Sequence, residues 1–207
     1  IRQSINNWLA KKLINKNEYY YILCSLIEAV PFVSNIAGTY GAYLKNWDKR
    51  SFKELTLNEP IIFDNKNKNK SYNSNANSLI KKISGDILYI DPPYNSRQYL
   101  PNYHLLETIA KYDNPILKGK TGIREYSKEK SNYCSKNLVL KEFEQLINDA
   151  KFKYIIISYN NEGLIQEDIL DKLTKKYADK TYKKYRYPYR RYKKDSKKVE
   201  HDLHELI

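Results

Sequence analysis

The chain has 207 residues, 41% of them hydrophobic and 29% charged, with two cysteines and a formal net charge of +13. That length suits one domain, or one domain with a small appendage, and is enough to bury a real core. So few cysteines exclude a disulfide-stapled mini-protein and point to a reducing compartment, the cytoplasm, while the absence of a long apolar run excludes a transmembrane helix. No signal peptide is visible, and because the first residue is Ile1 and the composition holds no Met, the chain is expected to begin partway into a longer protein.

Taken in chain order, Tyr19, Ile22, Leu23, Leu26, Ile27 and Val30 recur at helical spacing, and Pro31 is expected to close that helix. The segment from Asn35 to Lys53 mixes Gly38 and Gly41 with Tyr40, Tyr43 and Trp47, and reads as a turn or loop leading into basic surface. Ile61, Ile62 and Phe63 predict a short strand, followed by an exposed Asn- and Lys-rich loop from Asp64 to Asn77. Asp86 to Ile90 predicts a compact strand that runs directly into Asp91-Pro92-Pro93-Tyr94. Pro101 can open a helix carrying Leu105, Leu106, Ile109 and Ala110 on one face. Asn114 to Lys136 reads as a long polar loop, and Phe143, Leu146, Ile147 and Ala150 mark another helix. Tyr154 to Ser158 is an unbroken apolar run, the pattern of a central parallel strand covered on both faces. Ile169, Leu170, Leu173 and Tyr177 give a further helix, and Val199 to Ile207 a last strand closing a hairpin. Strands alternating with helices argue for an open α/β sheet.

Part of the positive charge reflects a composition rich in Lys, Asn, Tyr and Ile, the residues of A/T-rich codons. Its placement does not. Between Lys172 and Lys198 stand thirteen Lys and Arg against Asp179 and Asp195, so this stretch carries +11 of the whole +13. Six tyrosines, from Tyr177 to Tyr192, interleave with it. Cations that meet phosphates beside aromatic faces that stack make the footprint of a nucleic-acid surface, and a solvated lysine-rich edge strand fits the same pattern.

Asp91-Pro92-Pro93-Tyr94 carries the most chemistry. In open α/β sheets, ligands bind outside the carboxyl ends of strands. Consecutive prolines fix φ and hold the residues before them extended, so the turn presents oriented carbonyl acceptors. The Asp91 carboxylate and the Pro92 carbonyl suit the two hydrogens of a planar exocyclic amine such as adenine N6. Holding both favours tetrahedral nitrogen and frees its lone pair for attack on a sulfonium methyl. Tyr94 can stack on a base swung out of the duplex, a contact worth roughly 1–3 kcal/mol.

With its flanks, the turn resembles a known family. Asp91-Pro92-Pro93-Tyr94 with Asn95-Ser96-Arg97-Gln98-Tyr99, then Asn102 to Ala110, Ser158 to Gly163, Tyr189 to Lys193, Glu205 to Ile207 and, upstream, Ala37 to Lys45 are together similar to the D12-class adenine-N6 DNA methyltransferases. The resemblance covers nearly the whole chain. It implies an α/β class I S-adenosylmethionine-dependent methyltransferase (Rossmann-like) sheet with helical insertions, incomplete at its amino end. Residues 1–57 would then be a helical DNA-contacting segment, and 58–207 the carboxyl-terminal part of the catalytic domain.

By the same resemblance, Asp91, Pro92, Pro93 and Tyr94 form the catalytic turn. Asn95, Arg97, Gln98 and Tyr99 lie beside the flipped base and its strand, and Tyr94, Tyr159 and Asn160 are further DNA-binding candidates; separately, the basic run makes Lys183, Lys184, Arg186, Arg190 and Arg191 candidates for salt-sensitive DNA binding. Asn73 to Asn77 looks like the segment that contacts the adenine moiety of S-adenosylmethionine, which makes Asn75, Ala76 and Asp91 the cofactor candidates. The family usually carries Asp where this chain has Asn75. Its glycine-rich cofactor loop is missing, since Gly38-Thr39-Tyr40-Gly41 lacks a preceding hydrophobic strand. The implied partners are double-stranded DNA, an amino-terminal half or partner chain, and a cognate restriction endonuclease acting on the same site.

A non-catalytic DNA-binding remnant, one subunit of a split methyltransferase, and an RNA adenine methyltransferase fit the same residues. No metal site is expected: His201 and His204 read as a solvated edge, and His104 as a polar cap or base neighbour. Cys24 is expected in the core, Cys134 in a polar loop, and Trp8 and Trp47 in core or interface packing, with a DNA-facing position as the alternative for both tryptophans.

Overall fold

The computed structural model describes residues 1–178, 182–188 and 203–207. In chain order they form α1 (Arg2–Ala10), α2 (Lys16–Val33), the short α3 (Ala76–Leu79), β1 (Ser84–Ile90), α4 (Tyr99–Lys111), β2 (Leu117–Lys118) and β3 (Ile123–Arg124). There follow α5 (Val139–Asp149), β4 (Lys151–Ile157), β5 (Tyr159–Asn160), α6 (Glu167–Tyr177), β6 (Arg186–Pro188) and β7 (His204–Leu206). The chain divides into two compact units, one of Ile1–Asn69 with Gln98–Lys130 and one of Lys70–Arg97 with Ser131–Ile207. No described helix is long and apolar enough to cross a membrane.

In the first unit, α2 begins on a capping box: Asn15 Oδ1 accepts from the Asn17 and Glu18 amides, and Glu18 accepts from the Asn15 amide. Pro31 does not close this helix, which continues to Val33. A proline this near the end forfeits a single intrahelical bond, and Ser34 Oγ turns back to donate to the Val30 carbonyl at 2.6 Å. Ile5, Leu26, Val30 and Tyr40 form the core, with Ile22, Leu106 and Ile109 packed against it. Arg2 binds the exposed end of α4, donating to the Ile109 and Ala110 carbonyls at 2.7 and 3.2 Å, while its guanidinium lies over the Tyr112 ring. The polar loop expected at Asn114 to Lys136 contains the β2–β3 hairpin, whose turn is made by Gly119 and Gly122 at φ 71° and 65°. Behind it Arg124, only 7% exposed, makes a bidentate pair with Asp113 at 3.0 and 2.5 Å. The strand expected at Ile61 to Phe63 does not form. These residues are exposed and irregular, with no described strand to pair with. Cys24 likewise faces solvent, because it lies off the buried stripe of α2 set by Leu23, Leu26 and Val30.

The second unit is built on β1 and β4, paired in parallel from Ser84↔Lys151 to Ile90↔Ile157. Alternation sends Leu88, Ile155 and Ile157 toward the core, where Ile90 is buried and α5 contributes Val139, Phe143, Leu146 and Ile147. The opposite face carries Ile87, Tyr89, Tyr154 and Ile156, all exposed. The expectation that β4 is covered on both faces is therefore met on one face only among the described residues. Below β4, β5, β7 and β6 form a small antiparallel sheet in that order. Cys134 is buried rather than in an open loop, and donates from Sγ to the Arg97 carbonyl. Residues 199–202 of the expected last strand lie outside the described residues, as does His201.

Two stability outcomes follow. Phe143 is fully buried among the Tyr133 and Tyr159 rings. Phe143→Ala is expected to cost about 3–5 kcal/mol in denaturant unfolding, and a loss under ~1 kcal/mol would show that α5 is not the core element. Hydrogen bonds from Arg124 hold the Asp113 carboxyl below its usual value. A carboxyl depressed in the folded state adds stability above its unfolded pKa of ~3.9 and loses it as pH falls through the folded value. Asp113→Asn should therefore flatten the acid limb of the stability curve below about pH 4. An unchanged limb in urea midpoints measured against pH contradicts this.

Candidate active site

β1 delivers the Asp91-Pro92-Pro93-Tyr94 turn at its carboxyl end, and the backbone clamps the turn on both sides. The Ile90 carbonyl accepts from the Ser158 amide at 2.9 Å, and the Tyr94 carbonyl accepts from the Leu164 amide at 2.8 Å. Between these anchors, neither the Asp91 carboxylate nor the Pro92 carbonyl has a hydrogen-bond or ion-pair partner among the described residues. Asp91 is exposed and Tyr94 partly so, at 38%. Two acceptors, the exposed Asp91 carboxylate and the carbonyl of the half-buried Pro92, thus stand unpartnered among the described residues on a locked backbone. The turn lines neither of the two cavities described below.

The turn is continued by Asn95, whose Oδ1 accepts from the Arg97 amide at 2.9 Å and fixes the direction in which the exposed Arg97 leaves. Gln98 and Tyr99 belong to the other unit, Gln98 as the N-cap of α4 and Tyr99 stacked on Tyr103 with ring centroids 6.0 Å apart.

Tyr159 and Asn160 are corrected by the structure. The resemblance implies DNA-binding side chains here, yet Tyr159 is 2% and Asn160 8% exposed. The Tyr159 ring packs on Phe143 and its hydroxyl accepts from the Ile165 amide at 3.2 Å, while burial pushes its pKa up. Asn160 Oδ1 accepts from the Glu162 amide at 2.8 Å. Pairing of β5 with β7 draws both residues inward, where they support the loop that carries Leu164.

Local acids also redirect the basic run. Lys184 donates to Glu167 and Asp171 at 2.8 Å each, and Arg186 reaches the same Glu167 oxygen through Nε at 2.9 Å. Those cations hold the Glu167 carboxyl below its usual value. Lys176 is paired with Glu144 at 2.7 Å and Lys175 with Asp171 at 3.7 Å. Lys183 is exposed and enters no ion pair among the described residues. Arg190 and Arg191, with Tyr189, Tyr192 and Lys193, lie outside the described residues.

Of the cofactor candidates, Asn75 and Ala76 sit at the exposed start of α3. Asn75 Oδ1 already accepts from the Ser78 amide at 3.0 Å as the helix cap. Asn77 anchors this segment: its Oδ1 accepts from the Tyr133 hydroxyl at 2.7 Å and its Nδ2 donates to the Glu142 carbonyl at 2.9 Å. Asn75 and Ala76 thus offer an edge and no cradle for a nucleoside cofactor. No described cluster of His, Cys, Asp and Glu can hold a metal ion.

Sequence reasoning missed the Leu164 clamp, the Ser158 hydroxyl that donates to Glu205 at 2.7 Å, and both cavities. One cavity, about 810 Å³, runs along β4 and α6 to Tyr182 and Ile207. The other, about 410 Å³, lies within the first unit. No local signal marks any of them, because each joins residues distant in sequence.

The family description "D12 class N6 adenine-specific DNA methyltransferase" matches residues 2–170. Among curated relatives, "Type II methyltransferase M.FokI" of Planomicrobium okeanokoites is 53% identical over 208 residues, covering 100% of this chain and 32% of the relative. "Modification methylase StsI" of Streptococcus sanguinis is 46% identical with the same coverages, 100% and 32%. "Type II methyltransferase M.NlaIII" of Neisseria lactamica is 47% identical over 94% of this chain and 57% of its own length. The chain thus spans about a third of the first two relatives. No solved structure matches it. A turn clamped at both ends with its carboxylate free, inside a family match over most of the chain, establishes that this chain belongs to the D12 class N6 adenine-specific DNA methyltransferases.

Proposed function

We propose that this chain carries the adenine-holding half of a DNA methyltransferase of a restriction-modification system, acting on adenine N6 in double-stranded DNA within a class I methyltransferase sheet. The observation that carries this reading is the double clamp on Asp91 to Tyr94, which leaves two acceptors unsatisfied at the end of β1. Relatives named as type II methyltransferases and modification methylases support the setting.

Adenine N6 is a weak nucleophile because its lone pair is delocalised into the ring. The Asp91 carboxylate and the Pro92 carbonyl each take one N6 hydrogen, which favours tetrahedral nitrogen and localises the lone pair. Tyr94 stacks on the extruded base and keeps it from returning to the duplex. The positively charged product nitrogen sheds its extra proton on the Asp91 side. Because the two acceptors are already oriented, little reorganisation remains for the reaction itself. S-adenosylmethionine, the family's methyl donor, supplies an electrophilic methyl when bound. Since Asn75 and Ala76 provide no cradle, we place the rest of its pocket on chain beyond these 207 residues, consistent with the greater length of the relatives.

Tritiated methyl incorporation into duplex DNA by the full-length protein tests this reading. Asp91→Ala is expected to lower the rate by roughly 10²–10³-fold with DNA affinity little changed, the cost of removing one preorganised group. Equal rates for the variant and the wild type, or preferential labelling of RNA, reject it.

The paired and unpaired cations of the carboxyl-terminal stretch should separate. Lys183→Ala is expected to weaken DNA binding and reduce the slope of log affinity against log salt by about 1. Lys184→Ala should chiefly lower the melting temperature, because it strips Glu167 and Asp171 of their shared partner. The reverse pattern would place Lys184 on the DNA.

A further inference from the structure

We propose that the cavity of the first unit, lined by Tyr43, Lys45, Trp47, His104, Lys120 and Thr121, contacts base edges of duplex DNA and sets sequence selectivity. This rests on the methyltransferase reading only in naming DNA as the occupant.

Three segments far apart in sequence build the site: the irregular stretch after α2, the first half of α4, and the tip of the β2–β3 hairpin. In sequence the Asn35–Lys53 stretch and the Asn114–Lys136 loop stand far apart and read as two unrelated loops. In the fold they line one cavity, and Lys120 Nζ lies 5.8 Å from the Tyr43 ring centroid.

The scaffold beneath is rigid. The Tyr40 amide donates to the Asn102 carbonyl at 2.8 Å, and His104, 4% exposed, donates from Nε2 to the Tyr40 carbonyl at 3.2 Å. Gly41 permits this contact, since a Cβ there would stand 2.8 Å from the Pro101 carbonyl oxygen. On the far side of Trp47, the Asp48 amide donates to Asn35 Oδ1 at 2.8 Å.

On that pinned backbone the large aromatics point outward. Trp47 is 69% and Tyr43 61% exposed, so of the placements expected for Trp47 the core is excluded. Exposed aromatic area on a fixed backbone is unfavourable in water and gives a partner rigid contact surface at small entropic cost. The charge around it has one sign available. Lys45, Lys49 and Lys120 enter no ion pair among the described residues, while the nearby Asp48 is taken by Arg50 at 2.8 Å. Unpaired ammonium groups beside exposed aromatic faces complement a polyanion that carries stackable bases. Lysine at the hairpin tip can donate to base-edge acceptors, and the rings can pack a base or a thymine methyl.

The test selects binding sites from a randomised duplex pool with the full-length wild type, then compares variants on the enriched sequence and on a scrambled one. Binding is read without turnover, so failed methylation would sink the methyltransferase reading and leave this test intact. Tyr43→Ala/Trp47→Ala and, separately, the solvent-facing Lys120→Ala are expected to reduce the enriched-to-scrambled affinity ratio by about 10-fold or more, with melting temperatures near wild type. Lys120→Arg should retain most of it. An unchanged ratio in Lys120→Ala overturns the proposal, as does a uniform loss on both duplexes, which would place the lysine on phosphate. Failure of the wild type to enrich any sequence, or variants that lose a protein partner while keeping duplex selectivity, also overturns it.

Discussion

Everything chemical in this chain depends on the parallel pairing of β1 with β4. That ladder ends in the bond from the Ser158 amide to the Ile90 carbonyl, one residue short of Asp91. Beyond that point two prolines remove amide donors and hold the chain extended, so the ladder cannot continue and the next carbonyls remain free. The Leu164 amide then recaptures the chain at Tyr94. The result is a short segment of backbone whose acceptors are oriented by neighbours and satisfied by none of them. Such a segment is unfavourable when buried and useful when open, and Asp91 is open.

The support behind this turn is a buried hydrogen-bonded layer. Tyr159 and Asn160 close the loop that brings Leu164 into place, and β7 holds β5 while the Ser158 hydroxyl reaches Glu205. These contacts join the end of the chain to the turn, so the last strand belongs to the scaffold that holds Asp91 to Tyr94. The exposed Ile87, Tyr89, Tyr154 and Ile156 face is the other notable property of the sheet, because parallel strands are ordinarily covered on both sides.

Electrostatics divides the molecule differently from its charge count. The carboxyl-terminal stretch holds most of the net charge, yet Lys175, Lys176, Lys184 and Arg186 are matched by acids of α5 and α6. A cation already bound to a carboxylate gains less from a phosphate, since it must give up one partner for the other. The less conspicuous lysines around Trp47 and the hairpin tip have no such competitors among the described residues.

The local pattern was enough to place β1, β4, α5 and α6, because apolar periodicity is read over a few neighbouring residues, and enough to single out Asp91-Pro92-Pro93-Tyr94, because the proline pair constrains φ wherever it occurs. It misjudged Ile61 to Phe63, whose apolar residues have no partner strand among the described residues, and Pro31, which sits too near a helix end to break it. It took Tyr159 and Asn160 for surface residues, since nothing nearby in the chain announces that β7 will pair with them. By itself, then, the sequence determined the family, the helices and strands of high periodicity, and the position of the proline-locked turn at the end of β1. Only the tertiary structure decided which cations are already paired, which aromatics are buried, and that a loop, a helix and a hairpin share one cavity. Those properties depend on contacts between residues tens of positions apart, whose distances are set by packing.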